Sequence, residues 1–176
     1  MMTKKSSVFS HLVSILVLPF NVTVLIPALL LFYFSNSLFW GTEIPLSILI
    51  MLVGIGFLLG GLTLVALTIA QFASRGKGTL APWDPPKKLV VSGPYRYTRN
   101  PMISGVVLIL LGEVIISGSL PLSVWFVLFT SVNYSYFIIG EEPQLSKKFG
   151  EDYLEYKRNV PRLIPRRTPW TPDKKE

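Results

Sequence analysis

Four long apolar stretches, none carrying a lysine or arginine, dominate this sequence and limit what it can fold into. They run from Leu12 to about Phe34, from Pro45 to about Ala73, from Met102 to about Ser117 and from Leu120 to about Gly140. A helix of about 20 residues crosses the roughly 30 Å of hydrocarbon in a bilayer, so each stretch predicts a transmembrane helix, the third being the shortest. Only Gly118 and Ser119 separate the last two, which predicts a tight helical hairpin. The first stretch follows Lys4 and Lys5 as a secretory leader would. It is too long for a leader's apolar core and lacks a small-residue cleavage site, so it is read as a span.

The charges give this helical framework an orientation. Lys4 and Lys5 precede the first stretch; Arg75, Lys77, Lys87, Lys88, Arg96 and Arg99 lie between the second and third; the rest run from Lys147 to Lys175, after the fourth. With four spans, all 17 basic residues fall on one side of the membrane. Basic residues are retained on the cytoplasmic side, which places both termini and the middle loop there. The expected fold is all-α: a single polytopic membrane domain over 1–176, with N-terminal spans at 12–73, a cytoplasmic loop at 74–101, the hairpin at 102–140 and a cytoplasmic C-terminal segment at 141–176. The net charge of +7 is then a matter of topology and attraction to anionic lipid, and no nucleic-acid-binding motif accompanies it.

Several chemistries are excluded by composition. The chain has no cysteine and one histidine, so thiolate nucleophiles, disulfides, Cys-type zinc sites and multi-His metal sites are ruled out. Gly54, Gly56, Gly60 and Gly61 sit in mid-span rather than between a strand and a helix, which excludes a phosphate-binding loop. Gly56 and Gly60, one turn apart, are read as a site where a neighbouring helix approaches closely. Pro19 and Pro27 predict kinks whose freed carbonyls are satisfied by neighbours.

Residues with chemical use concentrate in two segments. The first, GTLAPWDPPKKLVVSGPYRYTRNPMI at 78–103, is too rich in proline for a regular helix until Pro101, a residue suited to a helix's first turn. The helix that follows points its unpaired N–H groups at the membrane boundary, where they suit an anionic or polar ligand group. The second, EEPQLSKKFGEDYLEYKRNVPRLIP at 141–165, opens with two adjacent carboxylates at the end of a span, which invite a cationic partner. Leu145, Phe149, Tyr153 and Tyr156 then recur at helical spacing, predicting an amphipathic interfacial helix that folds back over the loop and stops at Val160-Pro161. Glu113 is the one ionisable residue well inside a span; roughly three turns from Pro101, it lies nearer the outer face.

These two segments, separated by two spans, resemble the isoprenylcysteine carboxyl methyltransferase family and its phospholipid methyltransferase relatives. The resemblance rests on GPYRYTRNPM at 93–102 and on the 141–165 segment, and covers about the C-terminal half of the chain. It implies an S-adenosylmethionine-dependent enzyme with a cofactor pocket at the cytoplasmic membrane face and a lipophilic substrate entering from the bilayer. It assigns cofactor contacts to the backbone of Lys87, Lys88, Leu89 and Val90, to Tyr95, to Asn100, Pro101, Met102 and Ile103, and to Glu141 with its neighbour Glu142. Arg99 and Asn100 become the candidate catalytic residues, organising the loop or orienting the substrate.

Three positions depart from the family pattern. Asn100 stands in place of a histidine, Ile103 in place of a tyrosine, and Phe137 in place of the arginine that the prenylcysteine enzymes carry four residues before the glutamate. Asparagine hydrogen-bonds but does not change charge near neutral pH, which fits positioning better than proton transfer. Methyl transfer from a sulfonium needs a nucleophile held in line in a dry site and no metal. The acceptor and the oligomeric state stay open. An NADPH-dependent sterol-type reductase, with a loosely similar C-terminal half, and a non-catalytic lipid-binding protein on the same scaffold are the alternatives.

Overall fold

The computed structural model describes residues 16–34, 44–75, 89 and 91–172, and their regular structure is helical throughout. A π-helical stretch, Leu16–Leu25, runs into α1 (Ile26–Tyr33). Proline explains the irregular start. Pro27 has no N–H, so the carbonyl of Val22 loses its donor in the wide register of a π-helix. The indole Nε1–H of Trp125 replaces it across the helix interface at 3.2 Å, and the Thr23 hydroxyl donates to the Pro19 carbonyl at 2.8 Å. A neighbouring helix thus meets the need that the prolines create.

The longest helix, α2 (Ile44–Arg75), contains an apolar span over Leu46–Gln71. Its main partner is α3 (Pro101–Ser117). Helix α3 begins at Pro101, where the missing N–H costs nothing, and ends at Gly118 in the left-handed region (φ 58°, ψ 25°). Ser119 then caps α4 (Leu120–Tyr136), its hydroxyl accepting from the Leu122 N–H. Helix α4 passes through a π turn, Phe137–Glu141, into α5 (Glu142–Phe149). Leu120–Phe149 is therefore one rod of 30 residues. At about 1.5 Å per residue it is about 45 Å long, against roughly 30 Å of hydrocarbon, so its charged end at Glu141–Lys148 stands clear of an apolar layer that encloses its start.

Two of the four expected spans are thus met by helices long and apolar enough to cross a membrane, Leu46–Gln71 and Leu120–Phe149; Pro19–Tyr33 and Pro101–Ser117 are shorter apolar helices. Their side chains point outward: Phe32 and Ile139 are each 77% exposed, and Leu52, Leu59 and Val132 more than half exposed. Apolar surface on this scale is stable in contact with lipid rather than water.

Helices α2 and α3 run antiparallel and touch through glycines, though not the pair expected. A Cβ on Gly61 would lie 2.6 Å from the Gly105 carbonyl oxygen, and one on Gly112 2.7 Å from that of Gly54. Gly56 and Gly60, by contrast, have nothing within 4 Å. The contacting glycines are seven residues apart on each helix, so the seam follows two turns rather than one.

The expected amphipathic helix is also corrected. Gly150 (φ 55°, ψ −134°) breaks it into α5 and α6 (Glu151–Asn159), the latter starting with Glu151 and Asp152 where the helix dipole favours acids. Tyr153, Tyr156 and Val160 form a buried cluster against Leu89, Val91, Leu145, Phe149 and Trp170. The aromatic face folds over the loop, as expected, and is covered by the protein's own chain rather than by lipid.

Candidate active site

Just before α3, the turn Gly93–Arg96 closes with the N–H groups of Tyr97 and Thr98 on the Pro94 carbonyl, and an irregular stretch follows to Asn100. Buried backbone groups need partners, and here residues after α6 supply them. Arg99 N–H donates to Pro161 O at 2.9 Å and Asn100 N–H to Arg162 O at 3.2 Å, while the carbonyls of Tyr97 and Arg96 accept from the N–H groups of Arg166 (2.9 Å) and Trp170 (3.0 Å). Two buried hydroxyls extend the pattern: Thr98 donates to Arg162 O at 2.8 Å, and Ser104 donates to Leu163 O at 2.6 Å. The Tyr95 carbonyl accepts from the Tyr156 hydroxyl at 2.7 Å. Residues 95–100 are thus laced to the tail.

At the centre of this contact lies Glu142. One carboxylate oxygen accepts from Arg99 Nη1 at 2.9 Å and from Arg162 Nε at 2.6 Å, and the other from Lys157 Nζ at 2.8 Å. The cationic partner invited by the paired glutamates is present three times over. Arg99 is as buried as its partner, with side-chain exposures of 8% and 5%. It also donates Nε to Val160 O at 3.0 Å and Nη1 to the Tyr153 hydroxyl at 3.2 Å. The Arg162 guanidinium stacks 4.7 Å above the Tyr134 ring, fastening the tail to α4. Burial alone would raise the Glu142 pKa, but hydrogen bonds from Arg162 and Lys157 and the charge of Arg99 hold it at about 2.

Glu141 differs sharply from its neighbour. Half-buried at the last position of the π turn, it forms no ion pair among the described residues. Burial and the charge of Glu142 push its carboxyl up, with Arg99 pulling the other way. Burial, with the charge of Glu141 behind it, likewise raises the Tyr95 phenol, which places the two side chains within electrostatic reach. The boundary between the π turn and α5 falls between the two glutamates: Glu141 ends the turn, and Glu142 opens α5, buried and facing Arg162 and Lys157.

The remaining candidates fall as follows. Asn100 occupies the N-cap position of α3, its carbonyl accepting from the Ser104 N–H at 2.9 Å, with no capping bond from its side chain. Pro101 is fully buried, and Met102 and Ile103 are half-buried in the first turn. Leu89 packs on the tyrosine cluster; Lys87, Lys88 and Val90 lie outside the described residues. Glu113 stands apart, with its Oε2 buried and unpartnered among the described residues. Among the described residues, no group of acidic or histidine side chains suits a metal ion.

Sequence reasoning did not assign Lys157, Arg162, Thr98 or Ser104 to the site, and it read Tyr153 and Tyr156 as an amphipathic face only. The usable signal was a charge imbalance: Lys157 and Arg162 flank the predicted end of the helix at Val160-Pro161, close in sequence to the two glutamates.

A body of outward-facing apolar helices with a polar, charge-stapled cap at one end is the build of a membrane protein. This chain belongs to the phospholipid methyltransferase family, whose model matches residues 49–152, a stretch that includes most of α2, all of α3 to α5, the turn before α3 and both glutamates. Membership marks it as a methyltransferase of membranes. A comparison with curated proteins finds no match.

Proposed function

We propose that this protein is an S-adenosylmethionine-dependent methyltransferase that modifies a lipophilic acceptor, isoprenoid or lipid-like, at the cytoplasmic membrane face. The observation that carries the reading is the division of labour between adjacent glutamates. Glu142 is neutralised by three cations, whereas Glu141 is half-buried, forms no ion pair among the described residues and lies within electrostatic reach of the Tyr95 phenol. A carboxylate with an adjacent aromatic face suits a cationic ligand such as a sulfonium bearing an ammonium group.

In this reading Glu141 and Tyr95 hold the cofactor, together with the backbone of the loop and the first turn of α3, whose free N–H groups suit a carboxylate. The cofactor supplies an electrophilic methyl group. Arg99 sits too deep and is too fully engaged to carry protons; with Glu142 it keeps the loop in register. Asn100 starts α3 and orients the groups around it. Burial of the loop beneath the tyrosine cluster excludes water from the displacement. The topology follows the charges: four spans, the last two forming a hairpin about Gly118, and both termini cytoplasmic.

The test is binding followed by turnover. The purified protein should bind S-adenosylhomocysteine in calorimetry, and membrane lipid extracts incubated with radiolabelled methyl donor should yield a labelled lipid. Glu141→Gln should abolish both signals while leaving the melting transition in place. Failure of the unaltered chain to bind, or oxidation of NADPH in its presence, would sink the methyltransferase reading.

A further inference from the structure

The matched family region ends at residue 152, yet the partners of the Tyr95–Asn100 segment come from further along the chain. Tyr156 is 3% exposed, donates to the Tyr95 carbonyl, and lies with its ring centroid 5.8 Å from that of Trp170. Trp170 in turn exchanges two hydrogen bonds with Arg96: its N–H donates to the Arg96 carbonyl, and its own carbonyl accepts from Arg96 Nε at 2.8 Å. The Arg96 guanidinium also donates to the Thr171 hydroxyl. Tyr156 thus holds the Tyr95–Arg96 peptide and Trp170 the Arg96–Tyr97 peptide, so the two grips pin consecutive peptide planes directly after Tyr95. A tyrosine side chain is aimed by its backbone, and a hydrogen-bonded peptide that cannot rotate holds the ring at one angle.

We infer that Tyr156 and the Arg96–Trp170 clasp are positioning residues for the methyl donor, holding Tyr95 at the angle at which it and Glu141 enclose a sulfonium. The inference rests on the methyltransferase reading above. The Tyr156 ring is part of the buried cluster, and its hydroxyl adds a bond to the Tyr95 carbonyl that ring burial does not require. The clasp acts on the residue that directly follows Tyr95.

The test uses the full chain in lipid-containing detergent micelles, with S-adenosylhomocysteine as the calorimetric probe. Tyr156→Phe keeps the ring and removes one donor, so binding should weaken roughly five- to twentyfold, as expected for a lost buried hydrogen bond. Arg96→Gln, altering a partly exposed side chain, should weaken it roughly threefold. In turnover assays the KM for the methyl donor should rise in both variants while kcat at saturation stays within about twofold, a split that a purely structural defect does not give. Should Tyr156→Phe lose its melting transition, Arg96→Gln decides alone. Unaltered binding affinity in variants that melt normally would overturn the inference and leave the methyltransferase reading standing. No binding by the unaltered chain would overturn both.

Discussion

The α2–α3 pair and the cap formed by residues 93–171 are held together by different physics. In the pair, backbones touch at Gly54–Gly112 and Gly61–Gly105 while the outer side chains face an apolar surround. Lipid gives little hydrophobic reason for helices to associate, so close van der Waals contact must do it, and small residues mark the seam. The cap behaves like the core of a small soluble domain, with buried tyrosines, a laced backbone and one carboxylate shared by three cations. The seam of the pair should therefore be governed by volume, whereas the cap should also respond to charge and acid.

The largest break in that contrast should come from Glu142→Ala, which leaves Arg99 buried without its counter-charge. Loss of one partner of a buried pair costs about 3–5 kcal/mol, so near-UV circular dichroism of the cap should melt well below that of the unaltered protein. Far-UV helicity in detergent should largely persist; loss of both signals together would show that cap and spans form one cooperative unit.

Acid should achieve the same reversibly. The folded Glu142 carboxyl lies at about 2 against an ordinary value of 4.5, so its contribution is complete above pH 4.5 and is lost as pH falls from there towards 2. Tryptophan fluorescence and near-UV signals should change across that window while the α2–α3 helices remain. A flat cap signal down to pH 2 would deny the carboxylate its central role.

In the spans, volume should dominate. Gly61→Ala puts a methyl group against the Gly105 carbonyl and Ile109, and overpacking of this kind costs about 1–3 kcal/mol. Gly56→Ala, facing open space, should be neutral or slightly stabilising. Detergent melting curves of the two variants test the assigned seam, and equal effects would discredit it. Smallest of all should be Lys157→Ala: at 40% exposure the lysine is the most solvated of the three cations, and its loss should cost under about 1 kcal/mol.

The sequence made the helical, lipid-facing body legible because apolar length and charge placement report it directly. Which face of α2 meets α3 was not legible. That helix is apolar all round, so Gly56–Gly60 at a one-turn spacing looked as good as Gly54–Gly61, and only the partner's own glycines at Gly105 and Gly112 decide between them. The presence of a polar centre could be read from two adjacent carboxylates at the end of a span. Their opposite fates could not, because Glu141 ends a π turn while Glu142 opens the next helix and meets Arg162, 20 residues on. The break at Gly150 was readable in hindsight from Gly-Glu-Asp, a helix start that the unbroken aromatic periodicity concealed.

The lacing between the loop and the tail also sets a timetable for synthesis. Arg96 and Trp170 are 74 residues apart, and at about 5–20 residues per second the loop waits roughly 4–15 s for its partner to be made. The α2–α3 seam, whose later strand of contacts is complete by Ile116, can close well before then. During that interval the helical body is complete while the loop before α3 still lacks its partners from the tail. A message or protease cut removing the residues around Trp170 would leave the loop held by Glu142 and its three cations but without its Arg96 clasp.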